Sequence, residues 1–164
     1  MFRAMRRFKQ LLPNETAVEI LERNTSGTLA LSGDEDYPYA VPISYVYADG
    51  KIYFHSAKAG HKIDAISKHE KASFCVIDKD QIVPEKYTTY FRSVIAFGKM
   101  RFIDEETEIR RIAANLAMKY SADYADGIPE EINSSVKHMA IIEMSIDHMT
   151  AKEAIELIND RQQD

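Results

Sequence analysis

Apolar positions along the chain change their period several times, and each change predicts an element. From Asn14, a suitable N-cap, Ala17, Val18 and Leu21 recur at helical spacing and predict a short helix ending near Asn24. Gly27 to Ser32 is short and apolar and reads as a strand, and Gly33-Asp34-Glu35-Asp36 reads as a turn. Tyr39 to Tyr47, rich in β-branched and aromatic residues, predicts a second strand. Asp49-Gly50 suits a tight type I′ hairpin, whose two central residues both need positive φ. Lys51 to Phe54 is then the returning strand. His55 to Gly60 reads as a loop, and Ile63 and Ile66 mark one side of a short helix after it.

Ala72 to Ile77 predicts a strand with Cys75 as a small buried hydrophobe in its middle. Residues 79–89 are polar, contain Pro84 and read as a loop. Ser93 to Ile103 predicts a long strand, bent or bulged at Gly98. Asp104 caps an acidic first turn, and Ile109, Ile112, Ala113 and Leu116 line one face of the helix that follows. A loop is expected over 121–134, around Gly127-Ile128-Pro129. Val136 to Ile146 alternates cleanly as a strand, and an amphipathic helix is expected from about Lys152 to Asp160. The basic and apolar residues 1–12 read as a solvated arm. The sum is about six strands and three or four helices in one domain, 1–164, with no internal repeat. Hairpin-linked strands make the sheet mainly antiparallel, and a half-buried sheet of this kind avoids open edges by closing into a barrel.

Composition narrows the function classes. Of 164 residues, 45% are hydrophobic and 29% charged, which suits a globular chain able to build a core. A net charge of −5 argues against a general nucleic-acid binder, which carries a basic surface. The one cysteine cannot form an internal disulfide and fits a reducing compartment. No signal-peptide core and no apolar run near the ~18 residues of a membrane span is present. The expectation is a soluble, cytoplasmic protein that binds neither nucleic acid nor membrane.

Five histidines (His55, His61, His69, His138, His148) show no metal-ligand spacing with one another or with the cysteine. Nucleophile-elbow, Walker and dinucleotide-binding glycine motifs are absent. The informative stretch is Pro42 to Lys62, PISYVYADGKIYFHSAKAGHK. Gly60 precedes a helix opening with His61 and Lys62, and a helix N-terminus offers free N–H groups to a phosphate. Lys62 adds a positive charge, and Ser56 and His61 add donors. Pro42 lies inside a strand, where it cannot donate to a ladder, so one side of that strand should be open. The neighbouring backbone of Ile43 and Ser44 is then free to meet a planar ring. The Asp49-Gly50 hairpin is expected to lay the Pro42 strand beside the one leading to His55. Each piece has a plainer reading: Pro42 protects an edge, His55 is a surface polar residue, Lys62 is a solvated charge.

The run from Pro38 to Lys62, with its V-P-I-S-Y and D-G-K-I-Y-F-H-S-A blocks, resembles the nitroimidazole-resistance branch of the pyridoxamine 5′-phosphate oxidase-like superfamily. Met5-Arg6-Arg7, Tyr90 to Lys99 (YFRSVIAFGK) and residues 143–153 (EMSIDHMTAKE) resemble its opening, a central strand and its closing segment. The resemblance implies a six-stranded, Greek-key split β-barrel that forms a homodimer with FMN at the interface. It implies that Pro42, Ile43 and Ser44 approach the flavin ring, that Ser56, His61 and Lys62 hold the phosphate, and that His55 and Ala57 line the ribityl chain. Tyr90, Ser93 and Val94 then close the site from the partner chain. The implied function is an FMN-dependent oxidoreductase of small molecules, such as a nitroimidazole reductase; NADH or NADPH is the candidate electron donor. Among the residues themselves His55 is the best candidate general acid, because a histidine titrates near neutral pH. The alternative is a flavin- or haem-binding store or sensor on the same barrel. Two departures stand out. His61 occupies a position where the wider family usually has arginine, a stronger phosphate partner. The C-terminus lacks the arginine-rich motif of true pyridoxamine 5′-phosphate oxidases.

Overall fold

Backbone hydrogen bonding gathers eight strands into one antiparallel sheet in the computed structural model, which describes residues 1–161. The strands are β1 (Leu11–Leu12), β2 (Ser26–Ser32), β3 (Pro38–Ser44), β4 (Val46–Ala48), β5 (Lys51–Ala57), β6 (Lys71–Val83), β7 (Thr88–Ile103) and β8 (Met139–Glu153). Their spatial order is β3-β2-β6-β7-β8-β5-β4, with β1 beside β8. The end strands β3 and β4 follow each other in the chain and are joined only through Tyr45, so the sheet curls round on itself. This is the expected antiparallel barrel with flanking helices, built from eight strands rather than six.

The two extra strands have a physical origin. Tyr39 to Tyr47 is not one strand: β3 pairs with β2, β4 pairs with β5, and the ladder breaks at Tyr45. The Asp49-Gly50 turn forms as expected, with φ of 53° and 76°, but lays β4 and not the Pro42 strand beside β5. The arm is only partly free: β1 pairs with β8, Leu12 is buried, and Phe2 stacks on His148.

Other boundaries shift because tertiary pairing extends strands through polar sequence. β5 runs on through His55 and Ser56, paired with β8. Residues 79–83 and 88–89 belong to the β6–β7 hairpin, which turns over at Pro84–Lys86 and a left-handed Tyr87. β8 starts at Met139, three residues after the expected Val136, and runs on past Ile146 through Glu153, so that the final helix begins at Ile155 and not near Lys152. The bulge at Gly98 is present, with the β7–β8 register shifting between Phe97 and Gly98.

Helices α1 (Asn14–Arg23), α2 (His61–Lys68), α3 (Glu106–Ser121), α4 (Ile128–Ser135) and α5 (Ile155–Arg161) flank the barrel. Ala17, Ile20 and Leu21 of α1 and Ala65 and Ile66 of α2 join the core formed by Leu29, Phe54, Phe74, Val94, Ile142 and Met144. The N-cap of α3 is Glu105, whose carboxylate accepts from the Glu108 N–H, one residue beyond the expected Asp104. α4 falls where a loop was expected. Its Ile128, Ile132 and Val136 pack on Ala113 of α3. Proline at its first turn suits a helix start, since the N–H it lacks has no intrahelical acceptor there.

Candidate functional site

A cavity of about 520 Å³ opens between the β3–β5 side of the barrel and the α3–α4 pair. That size lies within the range of small-molecule and cofactor sites. Ser44, at the end of β3, and His55, Ser56 and Ala57, at the end of β5, form one wall. The opposite wall is Ala113, Leu116, Ala117 and Tyr120 of α3 with Ile132 of α4, while His138 and Met139 close the end where β8 begins. An apolar floor with a few polar groups at its edge suits a planar ligand with a polar rim.

Beside this cavity the start of α2 presents free N–H groups and a lysine, a geometry that could cradle an anion. Gly60 has φ of 123°, a conformation that strains any side chain with a Cβ, and it turns β5 into the helix. Asp64 N–H bonds back to Gly60 O, and the N–H groups of His61, Lys62 and Ile63 before it have no intrahelical acceptor. Lys62 Nζ donates to Ser56 Oγ at 3.1 Å, joining the cradle to the cavity wall. Burial pulls the Lys62 ammonium below its ordinary pKa. A half-buried cation whose recorded partner is a neutral hydroxyl is a place where an anion is welcome.

The expected site residues divide into those the structure gathers and those it does not. Ser44, His55, Ser56 and Ala57 face the cavity, and Lys62 joins them through Ser56. Pro42 lies exposed on edge strand β3, whose one ladder partner is β2. The Ile43 side chain packs against the barrel core. The His61 imidazole turns the other way, stacking on Tyr39 at 4.1 Å with its Nε2 3.6 Å from Asp34. Within the same chain Tyr90, Ser93 and Val94 do not line the cavity. The Tyr90 hydroxyl accepts from Lys86 Nζ, and the Val94 side chain lies fully inside the barrel core, so only its backbone is open to any role at a site. Burial pushes the Cys75 thiol up, against Lys152 nearby, which makes it a poor nucleophile.

Sequence patterning missed the α3–α4 wall. Ala117 and Tyr120 continue the apolar stripe of α3, each four residues beyond Ala113 and Leu116, but periodicity does not show that this end of the stripe faces a cavity, and α4 is too short to show periodicity. For α4 the signal was Pro129 set between Ile128 and Ile132, an i, i+4 apolar pair at a proline helix start. Among the described residues no cluster of His, Cys, Asp or Glu could hold a metal, and no helix is long and apolar enough to cross a membrane.

No curated protein sequence matches the chain. Among solved structures, a protein assigned to 5-nitroimidazole antibiotic resistance from Bacteroides thetaiotaomicron is 21% identical, with a TM-score of 0.73 over 87% of this chain and 86% of that one. A conserved hypothetical protein from Mycobacterium tuberculosis is 16% identical, with a TM-score of 0.80 over 92% and 90%. A FAD and haem binding protein from Mycobacterium smegmatis is 18% identical, with a TM-score of 0.73 over 89% and 73%. At these identities the likeness is one of fold. The family model for pyridoxamine 5′-phosphate oxidase matches residues 13–153, from the residue before α1 to the last residue of β8, and on that match the chain belongs to the pyridoxamine 5′-phosphate oxidase family.

Proposed function

We propose that this chain is an FMN-binding oxidoreductase of small molecules. The observation that carries the reading is the Lys62–Ser56 pair at the start of α2, whose Ser56 lines the cavity and whose Lys62 and helix N–H groups suit an anion. These residues fit the group: the cradle suits the terminal phosphate, and the cavity wall of Ser44, His55 and Ala57 suits a ribityl chain and a ring edge. FMN, when bound, supplies hydride and electron transfer, and NADH or NADPH is the proposed donor. The chain's part is to hold the phosphate at Lys62 and Ser56, to exclude water with the α3–α4 wall, and to present the His55 imidazole as a proton donor. Nitroaromatic reduction is the activity to assay first, because a nitroimidazole-resistance protein shares the fold. The proposed setting is the cytoplasm.

A homodimer belongs to the same proposal. Across the outer face of the sheet run two rows of facing residues, Pro42–Thr28–Cys75–Ile95–Thr150 and Ala40–Ala30–Ser73–Phe97–His148. Neither contains a lysine, arginine, aspartate or glutamate. Uncharged strand positions of this kind, bordered by Arg3 and Arg6 of the N-terminal arm, suit a second copy of the chain, and that copy is the proposed source of Tyr90, Ser93 and the Val94 backbone at the site. Haem is the second reading, favoured by His55 and His138 lining one cavity and by a neighbour named for both FAD and haem.

The visible spectrum of the purified protein separates these readings. An oxidised-flavin spectrum, with FMN released on denaturation, supports the first; a Soret band supports the second. Lys62→Ala is expected to weaken FMN binding roughly 10- to 100-fold, the worth of a charge-assisted hydrogen bond to phosphate. Undiminished FMN retention in that variant removes the phosphate assignment.

A further inference from the structure

Tyr45 occupies the one position where the sheet changes partners. The β2–β3 ladder ends at Ser26 with Ser44, and the β4–β5 ladder begins at Val46 with Tyr53. The Tyr45 backbone between them is left without a strand neighbour, yet the residue is fully buried. A buried N–H and C=O without partners are costly. Both find the same side-chain oxygen: Tyr45 N–H donates to the Tyr120 hydroxyl at 2.9 Å, and that hydroxyl lies 2.8 Å from Tyr45 O. It is also within reach of Thr25 O, at the entrance to β2. One hydroxyl carries one hydrogen, so it accepts from Tyr45 N–H and donates to one of the two carbonyls at a time.

Tyr120 is also the C-terminal contact between α3 and the barrel beside the cavity. Farther back, Ile112 and Leu116 pack on Val46, Tyr53, Ile103 and Ile141. α4 rests on α3 through Ala113, Ile128, Ile132 and Val136. The helical wall of the cavity is thus a two-helix unit, and at its end nearest Ser44 the Tyr120 hydroxyl is its contact with the Tyr45 backbone. Lys119, on the same turn, makes an independent tie: its Nζ donates to Leu21 O at 3.3 Å and lies 4.2 Å over the Tyr45 ring, whose own hydroxyl donates to Leu21 O at 2.7 Å.

We infer that Tyr120 is the positioning residue of the cavity: its hydroxyl replaces the missing strand at Tyr45 and thereby sets the distance between Ser44 and the α3–α4 wall. The part of this inference that concerns FMN rests on the flavin reading above; the latch itself does not.

The test is Tyr120→Phe, which keeps the ring and removes only the hydroxyl, with Lys119→Met as the control that cuts the neighbouring tie. Amide hydrogen exchange, the FMN dissociation rate and Tm are measured on both full-length variants and the parent. In Tyr120→Phe the Tyr45 amide and the α3–α4 amides are expected to exchange about 10-fold faster, with β6 and β7 unchanged. FMN is expected to leave about 10-fold faster, and Tm to fall no further than in Lys119→Met. Lys119→Met is expected to lower Tm without changing FMN release. Unchanged exchange at Tyr45 and α3 overturns the inference, as does faster exchange everywhere in step with Tm, which is a general structural role. Faster local exchange with unaltered FMN release overturns the positioning role. If the parent binds no FMN, the flavin reading falls, and the exchange data still decide the latch.

Discussion

Single residues carry the barrel's closest tolerances. Gly98 has ordinary backbone angles and is glycine for another reason: a Cβ there would stand 2.0 Å from Ser145 O. That oxygen belongs to the neighbouring strand and cannot rotate away. Gly98→Ala is therefore expected to cost about 3 kcal/mol in urea denaturation, at the upper end of overpacking penalties. Gly127→Ala meets nothing within 4 Å and has negative φ. It is the matched control and is expected to be neutral or slightly stabilising. Lys62 is the opposite kind of residue, held half-buried at a cost. Because its pKa is lowered in the fold, the penalty is fully present below that folded value. It fades as pH rises toward the ordinary 10.5. In the proposed function an anion beside Lys62 would relieve the same penalty at neutral pH.

At the scale of elements, two carboxylates with little exposure, the buried Glu143 and the largely covered Asp78, tie pieces of the sheet together. Asp78, at the β6 bulge, accepts from Arg23 and Asn24 at the end of α1 and from Arg92 of β7. Burial alone would raise its carboxyl, but these hydrogen bonds outweigh burial and hold it below the ordinary range. Glu143 of β8 behaves in the same way: burial raises it, and bonds from Arg101 of β7 and Lys51 of β5 bring it below. Both pKa values are depressed in the fold, so their contribution is complete above the unfolded values of 3.8 and 4.5. It is lost as pH falls through the lower folded values. Tm should hold steady down to about pH 5 and then fall steeply in acid. Asp78→Asn should flatten part of that fall and cost ~2 kcal/mol at pH 7, a figure reduced because Arg23 is half exposed and can turn to water.

For the whole molecule, the question is what covers the uncharged outer face. Ile95 stands at its centre, between Cys75 and Thr150, on the opposite face of β7 from the buried Val94 and Ala96. Ile95→Lys adds a charge to this face and leaves the barrel core untouched. If the proposed dimer forms there, sedimentation should show the pair dissociating into single 18.7 kDa chains, with FMN affinity falling as the partner's contribution is lost. An unchanged mass would place any interface elsewhere. Phe2 lies over Phe97 and His148 at one end of the same face, so the arm shares this surface with whatever binds it.

What the sequence determined by itself was local. The hairpin at Asp49-Gly50, the glycine entry into α2 and the apolar stripes of α1 and α3 follow from φ preferences and from periodicity within a few residues, whereas the bulge that Gly98 marks in the sequence has its cause in the β8 strand beside it. The Ser56–Lys62 pair was legible because both residues flank one helix start. Tertiary structure decided the rest, where partners lie far apart in the chain. Polar segments at 79–83 and 147–153 became strands because neighbouring strands offered ladders. Tyr39 to Tyr47 was divided because its two halves pair with different strands, 75 residues before the tyrosine that repairs the break. The helical wall of the cavity, with Tyr120 at its end, exists only once α3 has docked on the barrel, and no local pattern encodes a contact made by a single hydroxyl.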